Sequence, residues 1–502
     1  MSDPSSERAP QRISRRRLIG TAGGVAAVGA ATVAGFGNLS GVAEAAATPG
    51  APSDFAHVDV AIVGGGISGL AAARVLKSKG RSFVILEASD RTGGRVRNAP
   101  VGTGADQVTE LGGEWVADGQ VRVLALLKEY GIKTFPTYGG GSNLFYNGQQ
   151  VFQYTGSVPS GIDAADEAAL ISALTALEGM ASQVNLQAPQ NSPNAVEWDN
   201  QTFAQWVASN VTTPLAQTLV ANSLGGALGP APQQQSLLHF LFVAQSAGGP
   251  AALFSTKGVL QLRVVGGSGL LVERMTARLK GHVVLEAPVS SITQTASGVS
   301  LQTPKGVYSA TRAIVAMAPP MTGRIAFYPK MPIARDQFAQ HTPMGCAMKA
   351  FAVYPTPFWR QAGLSGMSTA TTGPIVGTFD NTPPSGTPGV LYGLVDSNTY
   401  LQWGLRPEAE RKAAILDMLG TFFGPQAKTP TKYFEFDWSA QPWIRGGATI
   451  GAVPGTWTSF GNAWRAPIGR IHWASTETSS TFNGDMDGAI RSGERAVGEI
   501  YP

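Results

Sequence analysis

The chain first sets a regular pattern of apolar positions at Val58. Val58, Val60, Ala61, Ile62 and Val63 form a short, largely β-branched run that predicts a buried strand. Glycines crowd positions 64–69, and Leu70, Ala71, Ala72, Ala73, Val75 and Leu76 then follow with helical spacing. A second apolar run over 82–86 predicts another strand. In the middle of the chain, residues 163–184 read as an amphipathic helix, and further helical patterns continue to about Ala244. From Cys346 to Val353 the period becomes two, placing Lys349 on one strand face with Ala347, Phe351 and Val353. A last helix is predicted near the C-terminus, where charges separate Ala489, Ile490, Ala496 and Val497, and Asp485 stands just in front of it.

Composition narrows the class. The 502 residues are 43% apolar and 14% charged, enough to fill the core of one large or two medium domains. Net charge is +4, but beyond the N-terminus the basic residues are scattered and no aromatic-interleaved basic patch exists, so no nucleic acid partner is expected. Cys346 is the only cysteine and the five histidines show no H-x-x-x-H spacing, which excludes an internal disulfide and predicts no metal. At the N-terminus, Ser14, Arg15, Arg16, Arg17, Leu18 and Ile19 precede a Gly/Ala-rich run, and Ala43, Glu44 and Ala45 offer a small-x-small cleavage site. This resembles a bacterial twin-arginine export signal over 1–45, with Leu18 where the pattern often has Phe, followed by a leader over 46–56. A basic tail or a membrane anchor are the rival readings, although the run is too rich in Gly and Ala for a convincing transmembrane helix. The signal implies a protein folded around its cofactor, passed to the twin-arginine export machinery, and working in the periplasm or outside the cell, with no stable membrane anchor in the mature form.

Candidate chemistry begins at the first turn. Gly64, Gly66 and Gly69 make G-x-G-x-x-G between a predicted strand and a predicted helix, and Glu87 follows Gly69 by 18 residues at the end of the second strand. Gly64 allows the tight turn, Gly66 lets a pyrophosphate approach the backbone, and Gly69 lets the helix pack on the sheet. The helix start at Ile67 and Ser68 supplies N–H groups and a positive dipole, and Glu87, beside Ala88, would accept from a ribose hydroxyl. A second glycine-rich segment reads Arg91, Thr92, Gly93, Gly94, Arg95, and a third reads Glu110, Leu111, Gly112, Gly113, Glu114, Trp115. Glycines there permit close approach and the arginines can answer phosphate charge; the alternative for Arg91 and Arg95 is a solvated loop.

Further segments carry a family likeness: VVGGSGLLVERM at 264–275, APVSSI at 287–292, MAPPMTGRIAFYP at 317–329, PMGCAMKAFAVYPTPFWR at 343–360 and GRIHWASTETSSTFNGDMDGAIRSGERA at 469–496. With the glycine segments, they make the chain resemble the flavin monoamine oxidases from about Val58 to its end. The resemblance implies an α/β fold: a Rossmann-like FAD-binding domain from 57–135, 264–335 and 440–502, with an inserted α+β substrate domain from 136–263 and 336–439. It implies FAD contacts at Gly64, Gly66, Gly69 and Gly94 for the phosphates, Glu87 for the ribose, Arg95 by the pyrophosphate or flavin, the Val289 backbone for the adenine, Glu477 near the ribityl–phosphate region, and the Met486 backbone at the flavin N1/O2 edge. There a helix N-terminus would stabilise the negative charge of the reduced ring. It makes Lys349 the lysine held by a water to flavin N5, assisting reoxidation by oxygen. From the residues alone, a lysine on that strand face is an edge residue, a snorkelling one, or one buried for a purpose.

The departures matter as much. The position of the family's anchoring cysteine falls on Ala448, so FAD should be non-covalent. The two aromatic rings that guide the amine fall on Thr449 and Asp485, leaving Trp438, Trp443 and Phe482 as nearby aromatics that could cover the flavin. Asp485 is either a helix N-cap, worth about 1 kcal/mol, or a carboxylate lining the substrate cavity. A carboxylate ~4 Å from the reacting nitrogen at an effective dielectric of ~20 favours the ammonium by roughly 4 kcal/mol and starves the neutral amine that hydride transfer needs. It makes sense as a proton acceptor or as an anchor for a second amine. The resulting expectation is an exported FAD-dependent amine oxidase that forms an imine, then an aldehyde or ketone, with O2 or another electron acceptor, as a monomer or a homodimer. The alternatives are a related flavoprotein acting on an amino acid, with Arg263, Arg360 or Arg445 as candidate carboxylate partners, or on a non-amine, and a non-catalytic FAD-binding protein.

Overall fold

The computed structural model describes residues 57–502, apart from Ser157 and 226–228. The expected export signal and leader lie outside the described residues. Two mixed β-sheets and a helical layer organise the described chain.

The first sheet grows around Val58–Val63. That strand pairs in parallel with Phe83–Leu86 on one side and with Gly306–Ala316 on the other. Beyond them lie Val283–Val284 at one edge and Val299–Thr303, Ser291–Gln294 and Ala326–Tyr328 toward the other. The long strand Gly306–Ala316 changes partners along its length, antiparallel to Val299–Thr303 at its start and parallel to Ile471–Ala474 at its end. The expected strand over 82–86 starts one residue later, because the Ser82 N–H and hydroxyl both donate to the Asp59 carboxylate at 2.9 Å. Helix Ile67–Ser78 covers one face of this sheet and packs against the last helix, Met486–Ile500. Val60, Ile62, Leu70, Ile85, Ile490 and Val497 are sealed between them.

Strands of the second sheet run in the spatial order Lys432–Asp437, Ala347–Tyr354, Gly389–Asp396, Gly377–Asp380, Leu364–Ala370, Ser142–Tyr146 and Val151–Tyr154. All neighbours are antiparallel except the parallel pair Leu364–Ala370 and Ser142–Tyr146. Both faces of Ala347–Tyr354 are covered, so alternation there does not separate core from solvent and Lys349 is buried whichever way it points. The predicted mid-chain helix spans Ala164–Ala181; the Asp163 carboxylate accepts from Ala165 N at 2.8 Å and caps it. Its buried stripe of Ala169, Leu170, Ala173, Leu177 and Ala181 packs on Leu237–Ser246, a helix buried almost throughout. Among the described residues, no helix is long and apolar enough to cross a membrane.

Candidate active site

The site starts where the first strand ends. Gly64 turns the chain at φ +104°, and a Cβ there would lie 2.7 Å from Ala316 O; one on Gly69 would lie 2.0 Å from Gly64 O. Gly66 caps helix Ile67–Ser78 without a side chain, so the first-turn N–H groups meet no capping oxygen. A Cβ on Gly66 would meet only Gly94 Cα, at 3.9 Å, and would stand in the gap between the two glycine loops. Gly93 N donates to Gly65 O at 2.8 Å and ties those loops together. Glu87 closes the turn from the strand side, accepting from Gly65 N at 2.6 Å and Ser89 N at 2.8 Å.

These elements border a cavity of about 450 Å³ that reaches between the two sheets and the helical layer. Its wall includes Gly64, Gly66, Ile67, Ser68, Glu87, Ala88, Gly94, Arg95, Gly112, Gly113, Glu114, Trp115, Val289, Lys349, Trp438, Trp443, Thr449, Asp485 and Met486, all singled out from the sequence. Gly69, Arg91, Glu477 and Phe482, also singled out, are not on it. Gly69 packs inside the turn. Arg91 spends its guanidinium on the second glycine loop, donating to Thr92 O at 3.0 Å, Val96 O at 3.1 Å and Gly94 O at 2.8 Å. Glu477 is buried and pairs with Arg95 at 2.5 Å, fixing the guanidinium that does line the cavity. Phe482 turns toward Gly119 and the helical layer. Of the aromatics, Trp438 is buried and donates to Leu111 O at 2.7 Å, whereas Trp443 is 42% exposed and sits at the mouth rather than over the centre.

Asp485 answers the question its position raised. It is the N-cap residue of Met486–Ile500 by backbone geometry, yet its side chain makes no capping hydrogen bond. Its backbone is held instead: Asp485 N donates to Phe482 O at 3.1 Å and Asp485 O accepts from Thr476 Oγ1 at 2.8 Å. The carboxylate is left facing the cavity with no hydrogen-bond partner among the described residues. Burial, and then the Asp487 charge behind it, push its pKa up to about 7. Thr449 stands alongside; a Cβ on Gly484 would lie 3.4 Å from Thr449 Cβ. Its hydroxyl is buried without a partner. The two positions that lack rings therefore come together as an acid and a hydroxyl. His239 supports this wall, with Nε2 2.9 Å from Ile450 O and Nδ1 accepting from Trp457 Nε1 at 3.3 Å; burial lowers its pKa to about 4 and keeps it neutral.

Lys349 comes from the second sheet. Its Nζ donates to Glu110 O, Gly112 O and Glu114 Oε2, each at 3.1 Å, and lies 4.3 Å from the Tyr392 ring centre. Tyr392, Phe379 and Leu394 share this wall and were missed from sequence. The signal was the apolar run over 389–396, whose antiparallel register sets Leu394 opposite Lys349 and Tyr392 opposite Phe351. Asp487 was missed as well: it accepts from Arg122 N at 2.7 Å and Val123 N at 2.9 Å, capping helix Val121–Glu129 rather than its own. The candidate carboxylate partners do not reach the cavity. Arg263 is buried against Glu110 at 2.7 Å, Arg360 pairs with Asp380 at 2.7 Å, and Arg445 is exposed.

The donor set fits FAD. The uncapped start of Ile67–Ser78, the notch at Gly66 and the Arg95 guanidinium suit a pyrophosphate, and the uncapped start of Met486–Ile500 suits a group that gains negative charge. Val243, Ala247, Leu253, Val259 and Leu260 give the cavity an aliphatic lining on the side of the helical layer. No group of His, Cys, Asp or Glu among the described residues is arranged to hold a metal ion.

Comparison with known proteins agrees with this geometry. The family model described as flavin containing amine oxidoreductase matches residues 67–501. An L-amino acid dehydrogenase of a Synechocystis species is 37% identical over 458 residues, covering 88% of this chain and 94% of that protein. A putrescine oxidase of Kocuria rosea is 33% identical over 88% of this chain and 95% of its own. The solved structure of cyclohexylamine oxidase from Brevibacterium oxydans superposes with a TM-score of 0.84 at 31% identity, over 88% of this chain and 98% of that one.

Proposed function

The chain belongs to the flavin-containing amine oxidoreductases, which take FAD, and from that premise we propose that it oxidises an amine with an apolar body to an imine, which water converts to an aldehyde or ketone. The observation that carries this reading is the Asp485 carboxylate, which makes no cap bond and faces a cavity with many aliphatic and aromatic side chains. FAD held by the 64–69 turn, Arg95 and the start of Met486–Ile500 would supply the hydride acceptor and the route by which the electron pair reaches O2, giving H2O2, or another acceptor.

The residues must then deliver a neutral amine. An amine reaches the protein as ammonium, and only its free lone pair supports the cation that forms as hydride leaves carbon. Asp485 is the group placed to take that proton. An alkylammonium in water holds its proton about three units more tightly than a carboxyl titrating near 7, a gap of about 4 kcal/mol. The cavity narrows the gap, because burial disfavours ammonium and carboxylate alike and the neutral acid–amine pair gains on the ion pair. A carboxyl half protonated near neutral pH is a weak anchor for a distal ammonium, which favours the proton-acceptor role. Lys349 presents a cation to the same cavity and is assigned to assisting electron transfer to O2.

A second reading, an α-amino acid substrate, draws support from the 37% identical L-amino acid dehydrogenase. It would bring a second carboxylate into a cavity that already holds Asp485, with Arg95 paired to Glu477 and only Arg324 left as an arginine on the wall. Anaerobic titration of the FAD-loaded protein with cycloalkylamines, benzylamine, diamines and L-amino acids separates the readings; loss of the visible flavin band with amino acids alone overturns the first. In the Asp485→Asn variant, kcat/KM for a good amine is expected to fall at least about 100-fold, and the limb of the pH profile near 7 to disappear. An unchanged profile would leave Asp485 with no part in proton transfer. Export is part of the same proposal, supported by the arginine run Arg15–Arg16–Arg17 and the small-residue site at 43–45.

A further inference from the structure

A buried cation beside a cofactor acts through its field, and that field depends on what else the cation touches. The Lys349 ammonium has three N–H bonds, and the protein supplies three acceptors at 3.1 Å: Glu110 O, Gly112 O and Glu114 Oε2. None is left for a water between Lys349 and a ligand. Glu114 is itself braced. Its other oxygen accepts from Asn381 Nδ2, and Arg263 Nε stands 3.2 Å from it without hydrogen-bond geometry. Arg263 is engaged elsewhere, donating to Glu110 at 2.7 Å, Asn381 Oδ1 at 3.0 Å and Thr382 O at 2.9 Å. Glu114 therefore lies between two cations, with side-chain exposures of 10% for Lys349 and 3% for Arg263, and also forms part of the cavity wall.

We propose that Glu114 is the positioning residue of Lys349: it pins the ammonium onto the segment from Glu110 to Glu114 and offsets its charge, so that the cofactor senses a damped cation. Seen from farther away than their separation, a cation and carboxylate in contact act as a dipole, whose field falls off faster than that of a lone charge. Charge near a flavin ring tunes its electron affinity, so Glu114 sets how strongly Lys349 can favour the electron-rich form. Arg263 has its own hydrogen-bonded partner in Glu110, so neutralising Arg263 does not by itself require Glu114. This inference rests on the reading of Lys349 as a cation facing the flavin.

Sulfite affinity and midpoint potential of the FAD-loaded protein read the positive field in the cavity without turnover. Glu114→Gln keeps the reach and an acceptor oxygen but removes the charge; it is expected to tighten sulfite binding about tenfold and raise the potential. Lys349→Met is expected to weaken sulfite binding about tenfold. Fields superpose, so loss of the Glu114 charge alone acts by the same factor in both backgrounds. The part that comes from releasing the Lys349 ammonium toward the cofactor is missing in the Lys349→Met background, so a positioning role requires Glu114→Gln to tighten sulfite binding by a clearly smaller factor there. Equal factors in both backgrounds, or no change in Glu114→Gln, would overturn the role of Glu114 while leaving Lys349 intact. No change in Lys349→Met would overturn the reading of Lys349 as well. Should Glu114→Gln fail to hold FAD, Glu114→Asp retains a charge but withdraws it from Lys349. A smaller tightening, absent in the Lys349→Met background, is then expected, and wild-type affinity would count against the proposal.

Discussion

Asp485 on the cavity wall and His239 buried behind it have pKa values shifted in ways whose effects on stability oppose each other. His239 is held neutral with its pKa lowered to about 4, so folding gains from it above the ordinary histidine range and loses that gain as pH falls through 4. Asp485 has the reverse sign. Its pKa is raised to about 7, so between about 4 and 7 the unfolded chain ionises this carboxyl while the folded protein keeps it protonated, and stability falls as pH rises. Three units correspond to about 4 kcal/mol as an upper bound, reached near neutral pH. Asp485→Asn removes the penalty. Cofactor-free Asp485→Asn protein is expected to melt with the wild type at about pH 4 and a few degrees above it at about pH 8. Scanning calorimetry at both values checks this, and an equal melting temperature at the higher pH would mean the carboxylate is solvated. The same substitution is expected to lower turnover, so its stability gain and its loss of activity separate a functional acid from a capping one.

At the scale of elements, the crossing of the first and last helices decides whether the cofactor site closes. Ser68 and Ser492 meet through their hydroxyls at 2.9 Å, and a Cβ on Gly493 would lie 2.2 Å from Ser68 O. Gly493→Ala must push the start of the first helix away from the last helix, about two turns into the latter, costing about 1–3 kcal/mol. Gly498, on the same helix, has nothing within 4 Å of an added Cβ, so Gly498→Ala should be neutral or stabilise by about 0.5–1 kcal/mol. The ratio of flavin absorbance to protein is expected to fall in the first variant and hold in the second. Both helices were legible in the sequence, because a glycine fingerprint between a β-branched run and an alanine-rich run fixes strand, turn and helix together. What joins them was not: Ser68 and Ser492 are 424 positions apart, and neither carries a pattern of its own. Asp485 shows the same limit at one residue. Its sequence context suits a cap and a cavity equally; the side chain's lack of a cap bond separates the two. Arg263 could be read as a carboxylate binder only because its partners, Glu110 and Glu114, lie some 150 residues earlier in the chain.

Across the described chain, the cavity is where the layers of one compact unit share a wall. Val63 and Leu86 come from the first sheet, Lys349, Tyr392 and Leu394 from the second, Val243 and Ala247 from the helical layer, and Asp485 and Met486 from the loop and helix near the C-terminus. Each layer has its own buried cluster. The wall between them is the part of this packing that a ligand touches. A ligand spanning this wall braces the layers, and by mass action FAD at about 100 times its Kd should stabilise the folded protein by about 2.7 kcal/mol. The gain should be distributed unevenly. Hydrogen exchange with and without FAD is expected to slow most in the 64–69 turn, in 475–488 and around 243–260, and least in Ser142–Tyr146 and the edge strand Val151–Tyr154, which supply no residue to the cavity. Protection confined to the 64–69 turn would mean that FAD is held by its phosphates alone and that the layers close independently. Protection reaching Leu394 and Val243 would mean that the cofactor completes the wall against which the amine must be desolvated, which is the condition under which Asp485 can take its proton.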